Sequence, residues 1–412
     1  MKKPELLLPA GNLEKARTAL LYGADAIYIG GQQFSLRAQA GNADDADMKA
    51  VIELAHSLGK RVRVTVNIIA HNQHLKELPT YLERLGELGA DGLIIADPGI
   101  LSMAHRILPQ IPITVSTQAS ISNYEAAAVC KELGASRIVL AREVSLEEMI
   151  EIKEKVPIEL EAFIHGAMCM AYSGRCLLSK FMTGRSANLG ECTQPCRYHY
   201  FMQEEKRPGQ YFGIEEDQHG SYILNSKDLC LIEQIPELME AGIDSFKVEG
   251  RMKSPLYVAS VGSVYRQAID HYAETRQPFT AEELHGWKRE IENTSTRPFT
   301  TGFIHGMDEF IQDMYKEDHP QKTEFCGMVQ GYDEEKGCLI VQQRANFGPG
   351  EALELFLPGG STVPLAIEHI YDAEGMEVDR ARHPKQLIYI PAAKADAGTI
   401  LRRHEHCENG KN

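Results

Sequence analysis

The chain has 412 residues, of which 43% are hydrophobic, and a formal net charge of −15. This length can fill one large core and a second small one, so we expect two domains. The acidic balance argues against a general polyanion-binding surface, and any contact with RNA must therefore be local. No apolar run of signal-peptide or membrane-spanning length follows Met1. We therefore expect a cytosolic (cytoplasmic) protein, a setting in which disulfides are rare.

Four segments repeat one pattern: a helix end, a glycine, a small residue and an apolar strand. They cover residues 21–30, 87–97, 132–142 and 240–249. The glycine suits a left-handed helix C-cap, and near-continuous apolar runs are typical of parallel strands buried on both faces. Four further apolar runs complete the set, at residues 5–9, 61–67, 113–119 and 158–165. Eight strands alternating with amphipathic helices predict an α/β fold, a (β/α)8 TIM-like barrel whose active site lies at the strand C-termini.

Polar residues follow several of these strands. The seventh strand ends near His165, and the eighth is followed by Lys247, Glu249 and Arg251. Charged residues that leave a buried strand are costly unless they are paired or used, whereas single polar residues also suit a solvated rim. The remaining candidates for the rim are Asn67, Asp97, Ser116, Gln118 and Arg142.

Five of the nine cysteines lie between positions 169 and 230, among Gly, Ser, Tyr and Arg rather than core residues. They are Cys169, Cys176, Cys192, Cys196 and Cys230. Zinc sites usually contain close CxxC pairs, which are absent here, whereas wide spacing favours a 4Fe–4S cluster held by several loops. Zinc binding and redox or structural thiols remain alternatives. The segment, about 166–230, is an insertion before strand eight and is expected to cap the barrel mouth.

The same insertion carries a basic cluster that is a candidate for local RNA contact. A solvated basic loop is the alternative interpretation. The cluster faces one acidic residue, Glu191, and consists of Arg175, Lys180, Arg185, Arg197 and His199.

The pattern changes towards the C-terminus. The barrel domain is expected to span residues 1–276 and to be followed by an irregular connector at 277–324. Short strands with Gly-rich turns then predict a small antiparallel β-barrel at 325–405 that binds or docks. The expected strands cover residues 325–331, 337–343, 352–357, 361–365 and 386–390. Cysteines without ligand spacing are interpreted as structural, namely Cys130, Cys326, Cys338 and Cys407.

Several hydrolase signatures are absent. The chain contains no HExxH, GxSxG or Walker A sequence, so zincin, serine-hydrolase and P-loop functions lose their usual support. His165 close to Cys169 leaves a thiol peptidase as an alternative.

Four sequence blocks resemble the collagenase-like peptidase family of unknown catalytic type, U32. They are EAFIHGAMCMAYSGRCLLS (161–179), NLGECTQPCR (188–197), NSKDLC (225–230) and FKVEGRMKS (246–254). The resemblance spans nearly the whole chain. Despite the family name, members include RNA hydroxylation proteins and ubiquinone-pathway hydroxylation proteins, which carry a 4Fe–4S cluster and work without molecular oxygen. The branch that this chain resembles converts the tRNA wobble uridine to 5-hydroxyuridine with prephenate as co-substrate.

The resemblance also implies roles for particular residues. It implies cluster ligation by Cys169, Cys176, Cys192 and Cys230, and it leaves open whether Cys196 replaces Cys192 or Cys230. Arg142, Lys247 and Arg251 suit a dicarboxylate such as prephenate, because Arg binds carboxylate bidentately and Lys acts as a point charge.

Glu249 and His165 are the available acid–base groups of this site. The expected partners are tRNA and, in a hetero-oligomer, a shorter paralogue. Two other functions remain open at this point, a peptidase and a non-catalytic partner of such a paralogue.

Overall fold

A computed structural model describes the protein over residues 2–35, 43–168, 227–306 and 323–404. It also describes short pieces between 178 and 226, and residues 312–313. No helix within these ranges is long and apolar enough to cross a membrane.

Eight parallel strands close into a barrel. The first seven, β1 to β7, are Glu5–Pro9, Ala26–Gly30, Arg61–Val66, Gly92–Ile95, Ile113–Val115, Arg137–Val139 and Glu159–Ala167. The closing strand, Ser245–Val248, pairs in parallel with both β1 and β7. The four glycines of the repeated pattern have positive φ angles, from +76° at Gly242 to +117° at Gly23. The predicted (β/α)8 barrel is therefore confirmed.

Helices surround the barrel, and those other than the short helix Leu178–Thr183 contribute buried apolar residues to the core on its outer surface. In chain order, α1 to α10 are Leu13–Leu21, Asp45–Ser57, Leu78–Glu87, Pro98–Ile107, Tyr124–Glu132, Leu146–Lys155, Leu178–Thr183, Ile235–Glu240, Pro255–Thr275 and Ala281–Glu292. Two short 3-10 turns, His74–Lys76 and Thr117–Ala119, lie in the loops after β3 and β5.

The prediction of an irregular connector at 277–324 was wrong for α10. Thr280 and Glu283 form a reciprocal capping box at the start of this helix. Trp287 and Ile291 are buried in the main core. A capping box followed by apolar residues is a sequence signal for a helix start, and it was present.

Side chains alternate between the two faces of the barrel wall. Leu6 and Leu8 pack into the large core between strands and helices. Leu7 points inward and clusters with Tyr28 and Ile94. This alternation follows from the two-residue period of a strand and fills the barrel interior with side chains.

The lower half of the barrel interior is charged. Arg63 and Arg137 both bind Glu5, with Arg63 Nη2 at 2.9 Å and Arg137 Nη1 at 2.5 Å. Glu161, which is fully buried, accepts from Arg137 Nη1 at 3.2 Å and from Lys247 Nζ at 2.9 Å. Buried charges require such pairing, because leaving one partner unpaired costs several kcal/mol.

Short strands extend the barrel sheet beside β7. The accessory strand, Asp228–Cys230, runs antiparallel to the end of β7 and places Cys230 opposite His165. Phe299–Thr300 pairs in parallel with the accessory strand. Two-residue strands occur at Met202–Gln203, Tyr211–Phe212, Glu216–Asp217, Gly220–Ser221, Asn225–Ser226 and Gln312–Asp313.

The predicted C-terminal barrel is a curled six-stranded antiparallel sheet. In spatial order its strands are Thr362–Ala366, Ala352–Phe356, Ile400–His404, Thr323–Asp333, Cys338–Gln343 and Leu387–Pro391. The strand Ile400–His404, which was not predicted, lies between two others. Its two consecutive arginines hide the apolar alternation that marks a strand.

Arg402 from this strand joins the two domains. Its guanidinium is buried and binds Glu290 of α10 at 2.6 Å and Glu354 of the same sheet at 2.5 Å. Nearby, the Tyr22 hydroxyl donates to the Phe356 carbonyl at 2.5 Å. Tyr22 and Phe356 also share an apolar cluster with residues of α9. The interface is therefore part of the folded core.

We predict that Arg402→Ala lowers the free energy of unfolding by about 3 kcal/mol, because two carboxylates lose their buried partner. Urea unfolding of the full chain measures this loss. Arg382→Ala is the control, since Arg382 forms an exposed pair with Asp379, and such pairs are worth about 0–1 kcal/mol. Equal stability of the two variants would contradict the prediction.

A second prediction concerns pH. Burial alone would raise the pKa of Glu161, but the charges of Lys247, Arg137 and Arg63 outweigh burial and lower the pKa to about 2. Ionised Glu161 therefore stabilises the fold above its unfolded pKa of about 4.3, and this contribution is lost as the pH falls towards 2.

Glu161→Gln should accordingly be less stable at neutral pH, and its stability should depend less on pH between about 2 and 4.5. Urea midpoints across this pH range provide the measurement. Glu151→Gln, which removes an exposed partner of Lys155, is the control and should follow the wild type. A Glu161→Gln profile parallel to the wild type would refute the assignment.

Candidate functional site

Three predicted rim residues meet at the barrel mouth. Asn67 Nδ2 donates to Gln118 Oε1 at 2.8 Å, and Ser116 Oγ donates to the same oxygen at 3.1 Å. Asp97 does not join them, because its carboxylate accepts from the N–H groups of Gly99 and Ile100 and caps α4. The role of Asp97 is thus local.

Lys247 lies inside the barrel below the mouth. Its ammonium is 2.9 Å from Glu161 Oε1 and 4.6 Å from the centroid of the Tyr28 ring. The Phe163 ring is 5.6 Å away. A carboxylate and aromatic faces both attract an ammonium group. Lys247 is therefore held in place by Glu161 and by two aromatic rings.

Among the described cations of this region, Arg142 has the surroundings best suited to binding an anion. Its guanidinium carbon stacks 3.9 Å from the centroid of Phe163, and Nη1 donates to the Ala167 carbonyl at 2.5 Å. Within the described residues no carboxylate pairs with it, and its Nε is buried without a hydrogen-bond partner. A guanidinium in this state suits a bidentate anion.

Arg251 and Glu249 follow the closing strand and line the same region. Arg251 is buried, and its Nη1 donates to Ser35 Oγ at 3.1 Å. The Glu249 carboxylate accepts from the Tyr28 hydroxyl at 3.4 Å and remains half-buried. Among the acid–base groups that were predicted, Glu249 is the one that lies at the mouth.

His165 does not face the mouth. The pairing of β7 with the closing strand is irregular here, because Lys247 pairs with Phe163 and Val248 pairs with His165, which leaves Ile164 as an extra residue in β7. Its ring lies against Tyr265 and Phe299, each 5.5 Å between centroids. Burial, reinforced by the charge of Lys253, lowers the pKa of His165 to about 3. The placement favours a neutral, positioning histidine over the predicted acid–base role.

Cys230 lies beside this ring system. Its thiol accepts from the Tyr265 hydroxyl, with 3.7 Å between oxygen and sulfur. Burial raises the pKa of Cys230, while hydrogen bonds from the Ile232 backbone and Tyr265 act in the opposite direction. A sulfur that accepts two hydrogen bonds is suited to carry negative charge once a metal binds.

The other predicted cysteine ligands, Cys169, Cys176, Cys192 and Cys196, lie outside the described residues, and so do Arg175, Arg197 and His199. Arg185 is exposed, and Lys180 belongs to α7. Among the residues that the structure does describe, no group of three or more His, Cys, Asp or Glu side chains is arranged to hold a metal. The ligand set remains a prediction.

Sequence reasoning missed several residues that build the site. Glu161 and Phe163 hold the two cations, and Ser35 and Tyr28 hold Arg251 and Glu249. One signal was available for Glu161, an acidic residue inside an otherwise apolar buried strand. Aromatic residues in such strands carry no comparable signal.

Comparison with known proteins assigns the family. The Peptidase family U32 model matches residues 11–313, and the Peptidase family U32 C-terminal domain model matches residues 321–402. The chain therefore belongs to peptidase family U32, which confirms the resemblance found in the sequence.

Three relatives carry related names. tRNA hydroxylation protein P1 of Bacillus subtilis (strain 168) is 44% identical over 389 residues, which are 94% of this chain and 91% of that protein. tRNA hydroxylation protein P of Escherichia coli (strain K12) is 37% identical over an alignment of 434 residues, which covers 95% of this chain and 94% of that protein. tRNA hydroxylation protein P2 of Bacillus subtilis (strain 168) is 35% identical over 306 residues, 74% of this chain and 98% of its own.

The packing around Arg251 gives a prediction. A Cβ atom added at Gly30 would lie 2.3 Å from Arg251 Nη2 and 2.3 Å from Ser35 Oγ. Gly30→Ala should therefore displace this pair and destabilise the protein by about 1–3 kcal/mol, as overpacking does. Gly286 in α10 has no atom within 4 Å of an added Cβ, so Gly286→Ala should stabilise by about 0.5–1 kcal/mol. Thermal unfolding of both variants measures the difference, and two shifts of the same sign would contradict it.

Proposed function

We propose that this member of peptidase family U32 is a tRNA-modifying enzyme. It converts the wobble uridine to 5-hydroxyuridine without molecular oxygen, with prephenate as the hydroxyl source and a 4Fe–4S cluster as cofactor. Likeness to tRNA hydroxylation proteins over most of the chain supports the RNA substrate. The geometric observation that carries the anionic co-substrate is Arg142, stacked on Phe163 without a carboxylate partner among the described residues.

The charge balance of the barrel supports an anion at the mouth. In the lower interior, the carboxylates of Glu5, Glu159 and Glu161 face Arg63, Arg137 and Lys247. Above this balanced layer lies Arg142, which has no carboxylate partner among the described residues. A partly desolvated guanidinium of this kind favours binding of an anion such as a dicarboxylate.

Cys230 fits a cluster ligand. Its sulfur accepts hydrogen bonds from the Tyr265 hydroxyl and from the Ile232 backbone. Hydrogen bonds of this kind tune iron–sulfur groups. The cluster would be held by Cys169, Cys176, Cys192 and Cys230, with Cys196 as the alternative for one of the last two, and when bound it supplies electron transfer.

The proposed exchange balances in atoms and electrons. The C5–H of uridine becomes C5–OH, and prephenate exchanges its hydroxyl for hydrogen, so the base is oxidised and prephenate is reduced by two electrons. Arg142 and Lys247 bind and orient the carboxylates of prephenate. Glu249, whose carboxylate is held by the Tyr28 hydroxyl, takes up the proton released at C5.

A shorter relative is the proposed protein partner. The P2 protein matches residues of this chain over 98% of its own length but covers 74% of this chain. A hetero-oligomer would combine two related barrels with one C-terminal domain. Co-purification of the two tagged chains from one cell tests this assembly, and separate elution of the two would refute it.

The central prediction concerns Arg142→Ala. A hydrogen bond to a charged group contributes about 1.5–3 kcal/mol, so its loss should weaken prephenate binding by about 10- to 150-fold. The iron content should stay at the wild-type level. Calorimetric titration and iron analysis measure the two quantities. Arg382→Ala, an exposed arginine of the C-terminal domain, should leave both unchanged.

The same variants should be returned to a deletion strain, whose total tRNA nucleosides are then analysed by mass spectrometry. Wild type and Arg382→Ala should restore 5-hydroxyuridine, Arg142→Ala should restore much less, and Cys230→Ala should restore none and lose iron. A wild-type gene that restores no modified uridine would overturn the proposed function. Restoration by Cys230→Ala would overturn the role of the cluster.

A further inference from the structure

Four rings form a continuous row on the β2–β3 side of the barrel mouth. We call Phe34, His71, His74 and Tyr81 the ring shelf. Neighbouring centroids are 6.0 Å apart for His71 and His74, 6.5 Å for His74 and Phe34, and 5.1 Å for Phe34 and Tyr81. All three spacings lie in the range of interacting aromatic pairs. Phe34 follows β2, and both histidines follow β3, so the row lies at the strand ends where a barrel binds its ligands.

Two features of the ring shelf cost stability. Phe34 adopts a left-handed backbone, with φ of +57°, which is unfavourable for a bulky residue. The hydroxyl of Tyr81 is buried and has no hydrogen-bond partner in the described part of the chain. Backbone strain and unsatisfied polar groups persist mainly where the surroundings impose them, and they concentrate at functional sites.

Hydrogen bonds of a neighbouring residue hold the inner end of the ring shelf, and its outer rings are accessible to a ligand. Ser35, next to Phe34, bonds both Arg251 Nη1 at 3.1 Å and Thr65 Oγ1 at 3.0 Å. The Phe34 ring is buried, His74 is half-exposed and His71 is exposed. The outer rings therefore offer π faces to a ligand while the inner rings hold them in place.

From this arrangement we propose that the ring shelf stacks a base of the RNA substrate. The proposal rests on the proposed function and deepens it by naming the surface that binds the nucleic acid. Unstacked RNA bases are bound on aromatic and histidine side chains, and every base has a π face. The ring shelf follows β2 and β3, whereas Arg142 follows β6, so the base and the anionic co-substrate approach the site from different sides of the barrel.

His71 carries the test better than His74. The Nδ1 atom of His74 accepts the backbone N–H of His71 at 2.9 Å and fixes the turn, so replacing His74 also changes the local structure. His71 is exposed, and replacing it removes a ring face without disturbing the core. His285 is the matched control, because it is an exposed histidine that belongs to α10 and not to the loops that follow the barrel strands.

The experiment is fluorescence anisotropy of a labelled tRNA anticodon stem-loop with the full-length, iron-loaded protein at several salt concentrations. His71→Ala should weaken binding by about 5- to 150-fold, the value of stacking one base. His71→Phe should restore most of the affinity, and His285→Ala should bind like the wild type. The salt dependence should not change, because stacking releases no counterions.

Two results would overturn the inference. Wild-type affinity in His71→Ala excludes stacking on this ring, and a loss that His71→Phe does not restore excludes a role for its π face. Both can occur while the wild type still restores 5-hydroxyuridine in cells, so the proposed function survives them. A wild type that neither binds the stem-loop nor restores the modified uridine overturns the function and the inference together.

Discussion

The ion pairs of Glu161 inside the barrel are the interaction on which the rest of the structure depends. This carboxylate is fully buried between Arg137 and Lys247. An unpaired charge at this depth would cost several kcal/mol, so each of the three side chains fixes the others. Because they come from three different strands, their pairing sets how these strands meet. It also sets the height at which the charged interior gives way to the mouth.

The charged layer decides what the mouth can bind. Below Phe163, the described buried cations Arg63, Arg137 and Lys247 each have a carboxylate partner. Above Phe163, the guanidinium of Arg142 packs on the same ring without a carboxylate partner among the described residues. The Phe163 ring thus lies near two cations, Lys247, which has a carboxylate partner, and Arg142, which has none among the described residues. This arrangement favours an anionic ligand over a cationic or apolar one.

The sequence predicts the barrel well because the αβ joints repeat a strong local pattern, glycine followed by an apolar run. It predicts the C-terminal sheet less completely, because Arg402 interrupts the apolar alternation of its strand and is buried through ion pairs made elsewhere. For the candidate site, alternation along β7 would direct residues 161, 163 and 165 inward together. The extra residue of β7 between Phe163 and His165 interrupts this alternation, and single-strand periodicity contains no information about such a bulge.

Because of this irregularity, β7 contributes to two parts of the candidate site. Along one strand, Glu161 anchors the ion pairs, Phe163 supports both cations, and the Ala167 carbonyl accepts from Arg142. His165, between Phe163 and Ala167, does not face the mouth. It lies opposite Cys230 in the sheet. A strict two-residue period would have put the imidazole among the cations, where an additional donor would compete for the same anion. The imidazole instead lies opposite the candidate cluster ligand, and the mouth is left to Arg142 and Glu249, with Lys247 below them. One strand therefore sets the geometry between the proposed electron-transfer group and the proposed anion site.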